Sequence, residues 1–265
     1  MAQDLIASIL ASRKYRGLGI PSETLRDLLA QEEGKARSAK ELEQAVREKL
    51  HNIVAAYLGD PDYAAEAAHL DAAFAGGPEP VKAACRALLS SHASTRERLP
   101  GLEEFYPRLF AVTGVPQVVL DLACGLHPFG LPWMGLPAGC SYYAYDLHQP
   151  RIELINHFLG LSGLARLGFH QDILVNPPQV QADVAFFFKE AHRFEQRQKG
   201  CNRAFWQAIR ARWLLVSLPA SSLTGRRDLA ERQRALVART LEGLDWEVSE
   251  VQVLDEMVFC IDKGK

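Results

Sequence analysis

From Val118 onward, short apolar runs alternate with amphipathic stretches, and that alternation restricts the chain to one broad architecture. Strands are expected at 117–122, 141–145, about 166–171, 182–188 and 212–217, interleaved with helices at 150–162, 191–210 and 226–243. Two last runs, 246–253 and 256–262, read as a closing antiparallel hairpin. Helical crossovers between successive strands make those strands parallel, so the expected fold is α/β with a doubly wound, mostly parallel seven-stranded sheet. Upstream of Gly114-Val115-Pro116 the period changes. Ala2 to Ser12, Ser22 to Glu33, Ala39 to Leu58, Val81 to Ser91 and Leu102 to Val112 carry apolar residues at three- and four-residue spacing, the mark of helices. Ser38 followed by Glu41 reads as a capping box for the third of these. The division expected is a helical N-terminal domain over 1–112 and an α/β domain over 113–265.

Within the α/β part, Val118-Val-Leu-Asp-Leu-Ala-Cys-Gly-Leu-His-Pro128 is a buried strand entering a glycine-permitted turn. The next strand, Ser141-Tyr-Tyr-Ala-Tyr-Asp146, ends in an acid, and Gln171-Asp172-Ile173 ends the third. A strand with a glycine turn followed by a strand with an acid is how an open α/β sheet holds a nucleoside and its ribose hydroxyls. A full G-x-G-x-x-G is missing, which argues against a dinucleotide pyrophosphate and favours S-adenosylmethionine. On this reading Ala123 and Gly125 admit the methionine end. Asp146, with Leu147 beside it, takes the ribose hydroxyls through two carboxylate oxygens. Asp172 accepts the adenine amino group, and Ile173 packs on the ring. Asn176-Pro177-Pro178 is similar to a motif that grips planar nitrogens in amino-methyltransferases. It precedes the fourth strand instead of following it, and Gln179 replaces the aromatic residue, so it reads as a turn.

Composition narrows the partners. No apolar run approaches the roughly 18 residues of a membrane span, and the N-terminus lacks the pattern of a secretion signal. The five cysteines are scattered without a C-x-x-C pair, as expected of free thiols in a reducing cytoplasm, and no metal site is expected. Net charge is −2, yet Lys189 to Arg239 holds twelve Lys/Arg against four acids, a local +8 that would attract a polyanion.

With cofactor turn and basic stretch together, the chain resembles the aminoglycoside-resistance 16S rRNA (guanine-N7) methyltransferases. The resemblance runs over nearly its whole length. It is carried by Ser12-Arg-Lys-Tyr-Arg16, Lys49-Leu-His51 with Tyr57, His92-Ala-Ser-Thr-Arg-Glu-Arg98, Leu120 to Pro128, Tyr143 to Asp146 and Phe188-Lys189. Gln196-Arg-Gln-Lys-Gly200, Val216-Ser-Leu-Pro219 and Ser222-Leu-Thr-Gly-Arg226 complete it. The resemblance implies a class I (Rossmann-like) methyltransferase core behind a helical RNA-docking domain. It further implies methyl transfer to a guanine N7 in the decoding region of the small ribosomal subunit, with aminoglycoside resistance as the outcome. Arg98 would pair with the cofactor carboxylate, and Lys189 would lie near cofactor and incoming guanosine. Lys14, Arg16, Lys49, Arg193, Arg226 and Arg227 are the expected RNA contacts. No side chain is expected to act as a general acid or base, and the protein is expected to work as a monomer. Two residues depart from the family pattern: His127 stands where Asn is usual and His192 where Pro is usual. Methylation of another RNA site or a small molecule is one alternative, and catalytically silent RNA binding, for which His127 and His192 leave room, is another.

Overall fold

The computed structural model describes residues 2–55, 61–219 and 228–264. Three helices come first: α1 (Ala2–Ala11), α2 (Ser22–Glu32) and α3 (Ala39–Val54). Their apolar faces close on one another around Ile9, Leu25, Leu28, Val46 and Leu50, a core of their own. Ser38 Oγ caps α3 by accepting from Glu41 N–H. The return leg of the expected capping box shifts by one residue, since the Glu41 carboxylate accepts from Arg37 N–H.

Helices α4 (Tyr63–Gly76), α5 (Pro78–Ser91), α6 (Ala93–Arg96) and α7 (Leu102–Thr113) follow. Asp62 starts α4, its carboxylate accepting from Ala64 and Ala65 N–H. Leu70, Leu88, Phe105 and Leu109 of this group belong to the same core as one face of the sheet.

The sheet contains β1 (Val118–Leu122), β2 (Ser141–Asp146), β3 (Gly168–His170), β4 (Ala182–Phe188), β5 (Ala211–Pro219), β6 (Glu247–Val253) and β7 (Glu256–Asp262). Its order is β3-β2-β1-β4-β5-β7-β6, parallel except that β7 runs antiparallel to both neighbours. Two-residue alternation sorts β4 between the faces. Val184, Phe186 and Phe188 join the core shared with α4, α5, α7 and α9 (Gln149–Leu161). Ala185 and Phe187 join the core under α10 (Ala191–Arg197), α11 (Cys201–Ala208) and α12 (Asp228–Leu241). A short α8 (Leu131–Met134) lies between β1 and β2.

The single helix expected over 191–210 is two. Gly200 takes a left-handed φ of 80° as the cap of α11, which ends one helix and starts the next. Strand order reverses between β1 and β4, so the crevice at their carboxyl ends is where such a sheet receives a ligand. All five cysteines are buried and free.

Candidate active site

A cavity of about 360 Å³ opens at those carboxyl ends. After β1 the chain turns sharply: Ala123 and Gly125 both adopt left-handed conformations, with φ of 51° and 55°. For Ala123 this conformation costs about 1–2 kcal/mol. A Cβ added at Gly125 would stand 3.7 Å from Arg151, an ordinary contact, so what requires glycine there is the backbone conformation.

Asp146 holds that turn. Its Oδ2 accepts from Gly125 N–H at 2.9 Å, and its Oδ1 accepts from His148 N–H at 2.9 Å. Arg151 of α9, 1% exposed, donates to Oδ2 at 3.3 Å and to the Tyr63 hydroxyl at 3.2 Å. A cation in the first turn of a helix opposes the helix dipole. The buried carboxylate explains its place, and that anomaly was the one sign in the sequence pointing to Arg151.

Asp172 is more fully engaged. Its oxygens accept from Thr24 Oγ1 of α2 (2.8 Å), from both terminal nitrogens of Arg197 (3.0 and 2.7 Å), and from Leu174 and Val175 N–H. Arg197 also pairs with Asp27 of α2 at 2.8 Å. The strand-end acid that lines the cavity is therefore fastened to the first helical core as well as to its own loop. Ile173 lies next to it on the cavity wall.

Arg98 enters from the opposite side, 5% exposed. Its Nε and Nη2 donate to the two oxygens of Glu256, on β7, and Nη2 reaches Ser217 Oγ. Burial opposes charge on both partners and their attraction outweighs it: Glu256 is held below the ordinary carboxylate range and Arg98 above the ordinary guanidinium value. The Arg98 guanidinium lies over the rings of Phe105 and Phe188, 4.9 and 4.5 Å from their centroids. Among the described residues Nη1 has no partner, which leaves its two N–H groups for a ligand carboxylate.

His127, 3% exposed, shares a hydrogen bond of 2.9 Å between Nδ1 and Asp121 Oδ2, which also accepts from Tyr142 at 2.6 Å. Among the described residues its Nε2 is buried without a partner, as is His192 Nδ1. Burial, with Arg193 nearby, lowers the pKa of His192. Two orphaned nitrogens, a spare guanidinium donor and a strained turn in one cavity fit a ligand with an amino-acid end and a nucleoside end. S-adenosylmethionine has that chemistry.

Glu190 also lines the cavity, immediately after β4, and went unmarked in the sequence, where one acid among many cations gives no signal. Its side chain is 23% exposed and pairs with Arg193 at 3.1 Å. Burial pushes its carboxyl from 4.5 to about 7, with Arg193 opposing. The folded chain therefore holds this proton more tightly than the unfolded chain does. That preference favours folding fully below about pH 4.5 and is lost as pH rises through about 7. Glu190→Gln should gain stability over the parent as pH rises from 5 to 8, by about 1–3 kcal/mol. Thermal melts of both proteins across that range check this; parallel curves would refute it.

Of the other expected site residues, Leu147, Lys49 and Arg193 line the cavity. Lys49 is paired with Glu32 at 2.7 Å. Lys189, with a φ of 60°, does not line it; its ammonium pairs with Glu97 and reaches Glu256 at 3.7 Å. Lys14 and Arg16 are exposed on the first helical core. Arg226 and Arg227 lie outside the described residues, as do Tyr57 and the Ser222-to-Arg226 motif. Of the twelve cations in that stretch, five among the described residues (Lys189, Arg193, Arg197, Arg212 and Arg234) are in ion pairs, and Arg203 donates to backbone carbonyls of Thr240 and Glu242. Asn176-Pro177-Pro178 lies in the loop before β4 and takes no part in the cavity.

The model of the ribosomal RNA methyltransferase (FmrO) family matches residues 11–260. The chain belongs to that family. A relative from Serratia marcescens, a 16S rRNA (guanine(1405)-N(7))-methyltransferase, is 34% identical over 98% of both chains. Among solved structures, the 16S rRNA methylase RmtB superposes with a TM-score of 0.80 at 30% identity, covering 100% of this chain and 99% of its own. The 16S rRNA methyltransferase RmtF, solved in complex with S-adenosyl-L-homocysteine, gives 0.77 at 29% identity, covering 99% and 98%. The sheet and its helices are thus those of FmrO-family methyltransferases, and the cavity lies on the side where that fold receives its ligand.

Proposed function

We propose that this chain transfers a methyl group from S-adenosylmethionine to the N7 of a guanine in the decoding region of 16S rRNA. The observation that carries the reading is the convergence of Ala123, Gly125, Asp146, Asp172, Ile173 and Arg98 on one cavity in a chain that matches an rRNA methyltransferase family along its length. The small ribosomal subunit is the substrate, the enzyme acts as a cytoplasmic monomer, and aminoglycoside resistance is the consequence.

S-adenosylmethionine supplies a methyl group already activated on a sulfonium. Arg98 Nη1 holds its carboxylate, the turn from Ala123 to Gly125 holds the methionine end, Asp146 takes the ribose hydroxyls with Leu147 alongside, and Asp172 with Ile173 faces the adenine. Guanine N7 is a lone-pair nucleophile with no proton to remove, so the protein needs no general base. Its contribution is alignment, worth up to about 7–11 kcal/mol when reacting atoms are held in line at contact distance. The target base must leave its stack, at a cost of a few kcal/mol offset by phosphate contacts. Lys14, Arg16 and Lys49 in the helical domain of residues 1–112 make such contacts. In the methyltransferase domain, 113–265, Arg193 on the cavity wall makes others, together with Arg226 and Arg227.

Incubation with labelled methyl donor and purified small subunits, with tRNA and naked rRNA in parallel, tests this. Label is expected in the subunits; label in tRNA or a small molecule alone would overturn the reading. Arg226→Ala is expected to weaken turnover on subunits while leaving cofactor affinity unchanged.

A further inference from the structure

We infer that His127 is the acceptor for the cofactor's α-ammonium group, a binding role that rests on the S-adenosylmethionine reading above. Asp121 Oδ2 accepts two hydrogen bonds, one from the Tyr142 hydroxyl and one from His127 Nδ1. A carboxylate partner at Nδ1 selects the tautomer with its proton there, in which Nε2 is the bare lone pair and can accept. That atom is buried and has no partner among the described residues, although His127 lines the cavity. A buried polar nitrogen left unpaired is costly, so a ligand that supplies a donor is favoured.

Its neighbours identify which part of the ligand that is. The imidazole meets the ring of Phe188 edge to face, centroids 4.9 Å apart, and the Arg98 guanidinium lies 4.5 Å from the same ring centroid. Tyr106 and Phe186, at 5.7 and 5.3 Å, complete the wall that fixes the imidazole's orientation. Arg98 and His127 thus share one aromatic wall and present opposite polarities: a spare N–H donor and a bare acceptor. An α-amino acid end carries the complementary pair, a carboxylate and an ammonium. Arg98 matches the first and His127 the second, which orients the methionine end by chemistry and not by shape alone.

The test is calorimetric binding of S-adenosylhomocysteine and of its analogue lacking the α-amino group, to the parent protein, His127→Phe and His127→Gln. The parent is expected to prefer S-adenosylhomocysteine by about 10- to 100-fold, the range for one hydrogen bond to a charged group. His127→Phe keeps the ring but not the acceptor, and is expected to bind both ligands alike. His127→Gln returns an acceptor at the Nε2 position and is expected to regain the preference. Should His127→Phe fail to fold, the ¹⁵N resonance of His127 Nε2 in the parent decides: it is expected to move with S-adenosylhomocysteine and not with the analogue. Equal affinity of the parent for both ligands, an undiminished preference in His127→Phe, or an Nε2 resonance indifferent to the amino group would overturn the role of His127. Absence of any S-adenosylhomocysteine binding would overturn the cofactor reading itself.

Discussion

Asp146→Ala is expected to weaken S-adenosylmethionine binding by at least about 100-fold and to destabilise the fold. The first effect follows from the proposed ribose contacts, two hydrogen bonds to a charged acceptor at about 1.5–3 kcal/mol each. The second follows from what Asp146 already holds. Its carboxylate anchors Gly125 N–H and His148 N–H, and it faces the buried guanidinium of Arg151. Loss of the negative partner of a buried cation costs about 3–5 kcal/mol, tempered here because Arg151 keeps its contact to the Tyr63 hydroxyl. Asp146→Asn is expected to show both effects more weakly. It keeps the shape, but its amide nitrogen meets either Gly125 N–H or His148 N–H, donor against donor. Thermal melts and cofactor titration on both variants check this. Cofactor affinity unchanged in Asp146→Ala would remove Asp146 from the ribose site.

Arg197→Met is expected to cost about 3–5 kcal/mol and to lower affinity for the adenosine end of the ligand. Arg197 bridges Asp172, on the cavity wall, to Asp27 of α2, and only Asp172 is fully buried. Its removal leaves the Asp172 carboxylate with Thr24 and two backbone donors but no counter-charge. Because Thr24 and Asp27 both belong to α2, the loss should also loosen the first helical core from the cofactor domain. Hydrogen exchange is expected to quicken in α2 and in the Asp172 loop together. Acceleration in one without the other would show that Arg197 does not couple them.

Most of this fold was legible in the sequence because period-two and period-3.6 patterns report which face of an element is buried. β4 ran 182–188 as expected, and the closing hairpin lies within a residue of its expected bounds. Helix α4 escaped individual placement because Tyr63-Ala-Ala-Glu-Ala-Ala-His-Leu is small and apolar nearly all round, so no face stands out. The break between α10 and α11 hangs on one glycine, and single glycines occur inside helices too. In the cavity, the residues at strand ends were readable because the topology places strand ends together. Their partners were not: Glu256 lies 158 residues from Arg98, and Thr24 lies 148 from Asp172. Charge counting is blind to pairing for the same reason. It records that Arg197 is a cation but not that two carboxylates already hold it.

Guanine N7 is the atom expected to receive the methyl group. Small subunits treated with the enzyme and S-adenosylmethionine should yield rRNA that, after borohydride reduction and aniline cleavage, stops reverse transcriptase at one new guanine in the decoding region. The stop should vanish when S-adenosylmethionine is withheld. A methylated subunit whose rRNA shows no such cleavage would place the methyl elsewhere and contradict the account.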